Sequence, residues 1–258
     1  MERLNRKTDK GRTGISGKRI LFFLFLLLLA VAAGVLWCSY TTRDRRDRQR
    51  YEKLQEEKKK DGIPKLRERY EDMVGWLEIK ETDFSYPVMQ TKDDPEYYLH
   101  RDEKGGYSFY GTPFLDARCS LESDNLIIYG HNINGRRFFG YLQNYRDRGF
   151  YEKHKNLCFI KVDGVEETYP VVSVIKTDIY SEYYRYTDVY NDEEYRDLVK
   201  KILDNSLYRC EGMDALEKEM NEETVEAFFH KYQFLTLSTC RTGEGRDARL
   251  LVIGCKER

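Results

Sequence analysis

Mainly β with peripheral helices, built on a closed eight-stranded barrel, is the fold class this 258-residue chain predicts. Short β-rich runs separated by turn residues recur from Trp76 onward. The last two, Phe234–Cys240 and Ala248–Gly254, flank a loop with two glycines and read as a hairpin. Long helix-compatible stretches fall only before Val74 and in the roughly sixty residues between Lys176 and Phe234.

Residues 1–19 carry seven Lys/Arg against two acids and read as a disordered basic tail. Ile20 to Trp37 is an uninterrupted apolar run, about 27 Å long as a helix and close to a bilayer's hydrocarbon thickness. Segment 20–38 is therefore expected to be a transmembrane signal anchor, with Trp37 and Tyr40 at the far interface. A cleavable signal peptide ending at Ala30-Val-Ala32 is the rival, but the apolar run continues past it. Cations lie on both sides of the span, so charge alone discriminates orientation poorly. Residues 39–70 are dominated by charge. Arg43–Lys60 reads as a solvated helical stalk ending at Asp61-Gly62-Ile63-Pro64, with a second short helix from Pro64 to Met73.

The folded domain is expected over 71–258. Its strands are read at Trp76–Ile79, Phe84–Gln90, Gly106–Tyr110, Asn125–Tyr129, Leu157–Val162 and Thr168–Lys176, followed by the closing hairpin. Pro87 marks an edge or bulge. A short helix is expected around Phe139 and Leu142, after the His131 turn. Asp192–Leu203 is a helix capped by Asn191 or Asp192, acidic first and basic last, with Tyr195, Leu198, Val199 and Ile202 as its apolar stripe. A further short helix is read in Asn221–Phe229.

Chemistry concentrates at the hairpin mouth. Alternation places Phe234, Thr236, Ser238 and Cys240 on one face, and Arg249 shares a face with Leu251 and Ile253. Cys240 and Arg249 thus both lie where strands give way to loop, and a fixed cation there can lower a thiol's pKa or stabilise an oxyanion. A thiol nucleophile also needs an acid–base partner. Of four histidines, His131 stands out, ending an apolar strand in Tyr129-Gly-His131-Asn; His154 lies in a charged run, and His100 and His230 lack a comparable setting. Standing alone, a strand-end Cys is more often a small buried hydrophobe and a strand-end Arg a solvated surface group.

Together, Thr236-Leu-Ser-Thr-Cys240, Arg249 nine residues on and the upstream Tyr129-Gly-His131-Asn resemble the signature of sortases, the cysteine transpeptidases of Gram-positive surfaces. The resemblance covers roughly residues 70–258. The long helix before the Cys strand, Val74-Gly-Trp-Leu and Tyr86-Pro-Val-Met-Gln make class B the nearest type, and the early Asp-Pro-aromatic lid of class C is missing. In Asp93-Asp94-Pro95, relatives often carry Asn where this chain has Asp94, which weakens carry-over of substrate contacts there.

The resemblance implies an inside N-terminus, a single-pass cell-membrane protein and an extracellular catalytic domain with N-terminal helices against a sortase-type barrel. It implies cleavage of a C-terminal sorting signal after Thr through a Cys240 thioester. The protein is then transferred to a peptidoglycan amine, with secreted surface proteins as partners. His131 would be the acid and base, with Arg249 and the Arg241 backbone N–H holding the oxyanion. Ser238, Leu99 and Tyr184 would contact substrate. A cysteine peptidase releasing substrate to water, or a non-catalytic membrane-tethered peptide-binding module, are the alternatives. A net charge of −1 gives no field for nucleic acid. No Cys/His spacing fits zinc, no glycine loop fits phosphate, and no acidic cluster suggests the calcium site of class A relatives, so no cofactor is expected. Cys38 lies at the membrane edge. Cys119, Cys158, Cys210 and Cys255 allow three disulfide pairings, although a domain of this size can build a core without them.

Overall fold

The computed structural model describes residues 17–133, 137–222 and 224–258. Most of the expected basic tail, and residues 134–136, lie outside the described residues. Helix α1 runs Gly17–Asp61. As far as Arg45 it belongs to a unit of its own, with apolar side chains such as Leu21, Phe22 and Leu36 exposed. The helix is long and apolar enough to cross a bilayer.

From Arg46 the chain is a second unit. Gly62, at φ +78, ends α1, and Pro64 sits in the first turn of α2, Ile63–Arg69. The second helix thus ends before Met73, which already begins a strand. The stalk departs further from expectation: Tyr51 and Leu54 of α1 are buried in the domain core with Ile63, Leu66 and Tyr70. Asp47 is buried too, accepting from the Ser108 hydroxyl at 2.9 Å and the Tyr110 N–H at 3.0 Å. The charged majority of this segment masks a narrow apolar stripe.

The barrel strands are β1 (Met73–Glu78), β2 (Ser85–Met89), β3 (Phe114–Leu115) and β4 (Asn125–Tyr129), and, after a small hairpin of β5 (Asn132–Ile133) and β6 (Arg137–Phe138), β7 (Asn156–Lys161) and β8 (Glu166–Asp178). The closing hairpin is β9 (Tyr232–Cys240) and β10 (Ala248–Glu257). Their order round the closed barrel is β1-β2-β3-β4-β9-β10-β8-β7. Pairing is antiparallel except for β2 with β3 and β4 with β9. Pro87 is tolerated because β2 meets β3 only at Met89.

The third strand is displaced from the expected 106–110. There Gly106 and Tyr110 give their N–H groups to side chains, Asp102 Oδ1 at 2.7 Å and Asp47 at 3.0 Å, and the Ser108 N–H goes to the His100 carbonyl at 3.1 Å. A single bridge, Arg101 with Tyr107, is all the β pairing this loop makes.

After β6 a 3₁₀ segment, Phe139–Arg146, leads into α3, Arg148–Tyr151. Helix α4, Asp192–Asp204, is capped by the Asn191 side chain, which accepts from Glu194 N–H at 2.9 Å. Its stripe Tyr195, Leu198, Val199 and Ile202 is fully buried. Helix α5, Met213–Glu222, escaped the sequence reading because only Met213 and Leu216 of it are buried; α6, Val225–Phe228, falls inside the expected Asn221–Phe229.

Candidate active site

Strand register brings the three expected polar groups together. Across the hairpin, Cys240 is the direct partner of Arg249. On the other side, β9 runs parallel to β4, with Asn125 opposite Phe234 and Tyr129 opposite Ser238. The same offset carried two residues further brings His131 to the Cys240 end of β9, and both line one cleft. Gly130 makes this possible: its N–H donates to the Ser238 carbonyl at 3.2 Å, and its carbonyl accepts from the Thr239 hydroxyl at 2.9 Å. The Phe139 ring lies over it so closely that a Cβ would stand 2.3 Å from a ring carbon.

His131, Cys240 and Arg249 line one cleft of about 470 Å³ with Leu99, Tyr184 and Ser238. Every side chain proposed from the sequence to act or bind substrate therefore borders the same space. The Tyr184 and Ser238 hydroxyls lie 2.8 Å apart, and the Tyr184 ring stacks on Tyr129 with centroids 6.0 Å apart. Tyr129 donates to Asp116 at 2.8 Å. Burial alone would raise the Asp116 carboxyl, but the forked guanidinium of Arg118 at 2.9 and 2.8 Å holds it below the usual carboxylate range. Arg118 also donates to the Tyr184 carbonyl at 2.7 Å, fixing that wall.

Arg249 Nη1 donates to the carbonyls of Arg246 and Ala248 at 2.8 and 3.1 Å. The Arg241 N–H, expected to face an oxyanion, donates to the Ala248 carbonyl at 3.0 Å as part of the hairpin. In this state it is committed elsewhere.

Burial, first, holds His131 below the ordinary imidazole value; the neighbouring His100 ring and the Arg249 cation add to this, and a hydrogen bond with the Leu99 backbone opposes it. Its Nε2 is buried and without a partner among the described residues.

Sequence reasoning assigned no role to Asn132 or Gln143. Both amides converge on the carbonyl of Cys240, at 2.6 and 3.1 Å, and Asn132 also reaches the Thr242 hydroxyl at 2.8 Å. The only signal for Asn132 was its place directly after His131. Glu244, in the loop after Cys240, is ion-paired with Arg241 at 2.9 Å and Arg146 at 3.1 Å.

The other cysteines are free thiols. Burial pushes Cys119 and Cys158 up to about 12 and Cys210 to about 11, so these three are poor nucleophiles. Among the described residues, no group of three or more His, Cys, Asp or Glu side chains is arranged to hold a metal ion.

No family model matches the chain. It is 28% identical over 245 residues to Sortase B of Staphylococcus aureus (strain NCTC 8325 / PS 47), covering 90% of this chain and 93% of that protein. It is 29% identical over 208 residues to Sortase B of Listeria monocytogenes serovar 1/2a (strain ATCC BAA-679 / EGD-e), covering 75% and 73%. Among solved structures, the Staphylococcus aureus sortase B–substrate complex superposes with a TM-score of 0.69 at 27% identity, over 84% of this chain and 99% of that one.

Proposed function

We propose that this chain, a sortase-type cysteine transpeptidase most like the class B sortases, cleaves a C-terminal sorting signal after Thr and joins the released carbonyl to a cell-wall amine. The observation that carries the mechanism is the convergence of Cys240, His131 and Arg249 on one cleft, fixed by cross-strand and parallel register. The Cys240 thiolate adds to the scissile carbonyl, and Arg249 stabilises the oxyanion; a donor of this kind contributes roughly 3–4 kcal/mol. To do so its guanidinium leaves the loop carbonyls it now contacts, and the Arg241 N–H assists only if it releases Ala248. Protonated His131, its Nε2 unpartnered, gives its proton to the amine as the C–N bond breaks. An acyl thioester remains on Cys240. An incoming amine adds to it, His131 removes the amine's proton, and the thiolate departs.

Ser238, Tyr184 and Leu99 serve as the substrate-binding wall. The apolar part of α1, residues 20–38, anchors the protein in the cell membrane in a single pass, with the catalytic domain outside. Support for this is the helix's length and exposed apolar surface.

The test uses the full chain in detergent with a sorting-signal peptide, with and without an added amine. Amine-dependent product and a trapped Cys240 thioester are expected. Hydrolysis indifferent to every amine overturns transpeptidation, and full turnover in Cys240→Ala overturns the covalent mechanism.

A further inference from the structure

His100 carries none of the sequence signals that single out His131, yet the fold lays one ring on the other. It is the last residue of a 3₁₀ turn, Tyr97–His100, held in place by the Ser108 N–H donating to its carbonyl at 3.1 Å. The imidazoles stack with centroids 5.0 Å apart and planes inclined by 28°. His100 is exposed; His131 is largely covered, with an unpartnered Nε2. We propose that His100, stacked on His131, is a positioning residue that governs how readily His131 holds a proton.

Two protonated rings at this separation repel, so a charge on His100 disfavours one on His131. Partial burial of His131 already works against its charged form. The other groups facing His131 do not reverse this bias. Arg249 from β10 adds a positive charge, and Cys240 comes from β9. Of the cleft's carboxylates, Asp116 is occupied by Arg118 and Tyr129, and Glu96 lies exposed at the rim. His100 thus biases His131 toward the neutral form that accepts a proton from the incoming amine. Even at water-like screening, unit charges 5.0 Å apart shift a titration by roughly 0.6 of a pH unit, about a fourfold change in the protonation constant.

The functional meaning rests on the acid–base role proposed above for His131, but the coupling can be read without turnover. Histidine-ring NMR titration of the full chain in micelles compares wild type with His100→Phe, which keeps a stacked ring without charge, and with His100→Gln; His131→Gln assigns the resonance. The His131 midpoint should rise by roughly 0.6 of a unit in both variants. His100→Arg, permanently charged, should keep it low. The kcat/KM pH profile should move its His131-dependent limb in the same direction. An unchanged His131 midpoint in both neutral variants overturns the proposal. Wild-type turnover in His131→Ala would instead overturn the acid–base role, a separate result.

Discussion

Cys240 and Arg249 face each other as direct cross-strand partners in the hairpin that ends the chain. Their relation is set by backbone register, so any slip of the hairpin by one residue would turn one of them away from the cleft. Register thus holds the Arg249 backbone opposite Cys240, and what its side chain offers is the planar fork of its donors.

Arg249→Lys keeps the charge and loses the fork. Turnover of a sorting-signal peptide should fall steeply, approaching the loss of about 10²–10³ in Arg249→Ala, with the melting temperature little changed. Arg246→Lys is the matched control, because only its backbone carbonyl meets Arg249. Near-wild-type rates in Arg249→Lys would leave a bare charge requirement.

Asn132→Ala and Gln143→Ala each remove one of the two amides on the Cys240 carbonyl. Each bond contributes about 1 kcal/mol, so unfolding should shift modestly. If the amides aim the thiol, kcat should fall by about tenfold per bond lost while KM holds. Loss confined to KM would make them part of the substrate surface instead.

Gly130→Ala places a methyl against the Phe139 ring. Overpacking of this kind costs about 1–3 kcal/mol, and here the strain falls on the residue before His131. Denaturant unfolding and turnover should both suffer, and Phe139→Leu in the same chain should restore part of each. A silent Gly130→Ala would show that Phe139 can swing aside.

Arg50→Met strips a buried partner from Glu103. The guanidinium lies 3.0 Å from that carboxylate and donates to the Gly111 carbonyl at 2.9 Å. Breaking one side of a buried pair costs about 3–5 kcal/mol, whereas Lys53→Met, on the exposed side of α1, should be silent. The test is denaturant unfolding of the full chain; equal stability of the two variants would make the 46–61 helix a mere tether.

His131 also leaves a signature in stability. Its native proton affinity is depressed, so the unfolded chain binds the proton first as pH falls through the ordinary value of about 6.5. Its effect is fully favourable above that value and is lost progressively down to its own lower midpoint. Unfolding free energy measured between pH 8 and pH 5 should drop less in His131→Gln than in wild type. Identical slopes would mean the ring titrates normally.

How far this could be read in advance differs by residue. Cys240, Arg249 and Ser238 were legible because strand alternation is local, and His131 because Tyr-Gly-His ends an apolar run. The parallel neighbourhood of β4 and β9 was not, since the two strands lie far apart in sequence and no periodicity encodes who sits next to whom. His100 was passed over for the same reason: only folding of its 3₁₀ turn sets it on His131. The burial of the stalk is hidden because Tyr51 and Leu54 are outnumbered by charges, and the third strand is misplaced because Gly106–Tyr110 has β composition but gives the Gly106 and Tyr110 N–H groups to Asp102 and Asp47.

The position of β9 between β4 and β10 has a temporal consequence. Cys240 and Arg249 meet within one local hairpin, whereas His131 reaches them only through the parallel pairing of β4 with β9, two strands far apart in sequence, and pairing across such sequence separations is slow. Until that pairing forms, the hairpin can bring Cys240 to Arg249 while His131 remains apart. The topology thus makes the meeting of thiol and imidazole a late event in folding, dependent on long-range closure of the barrel.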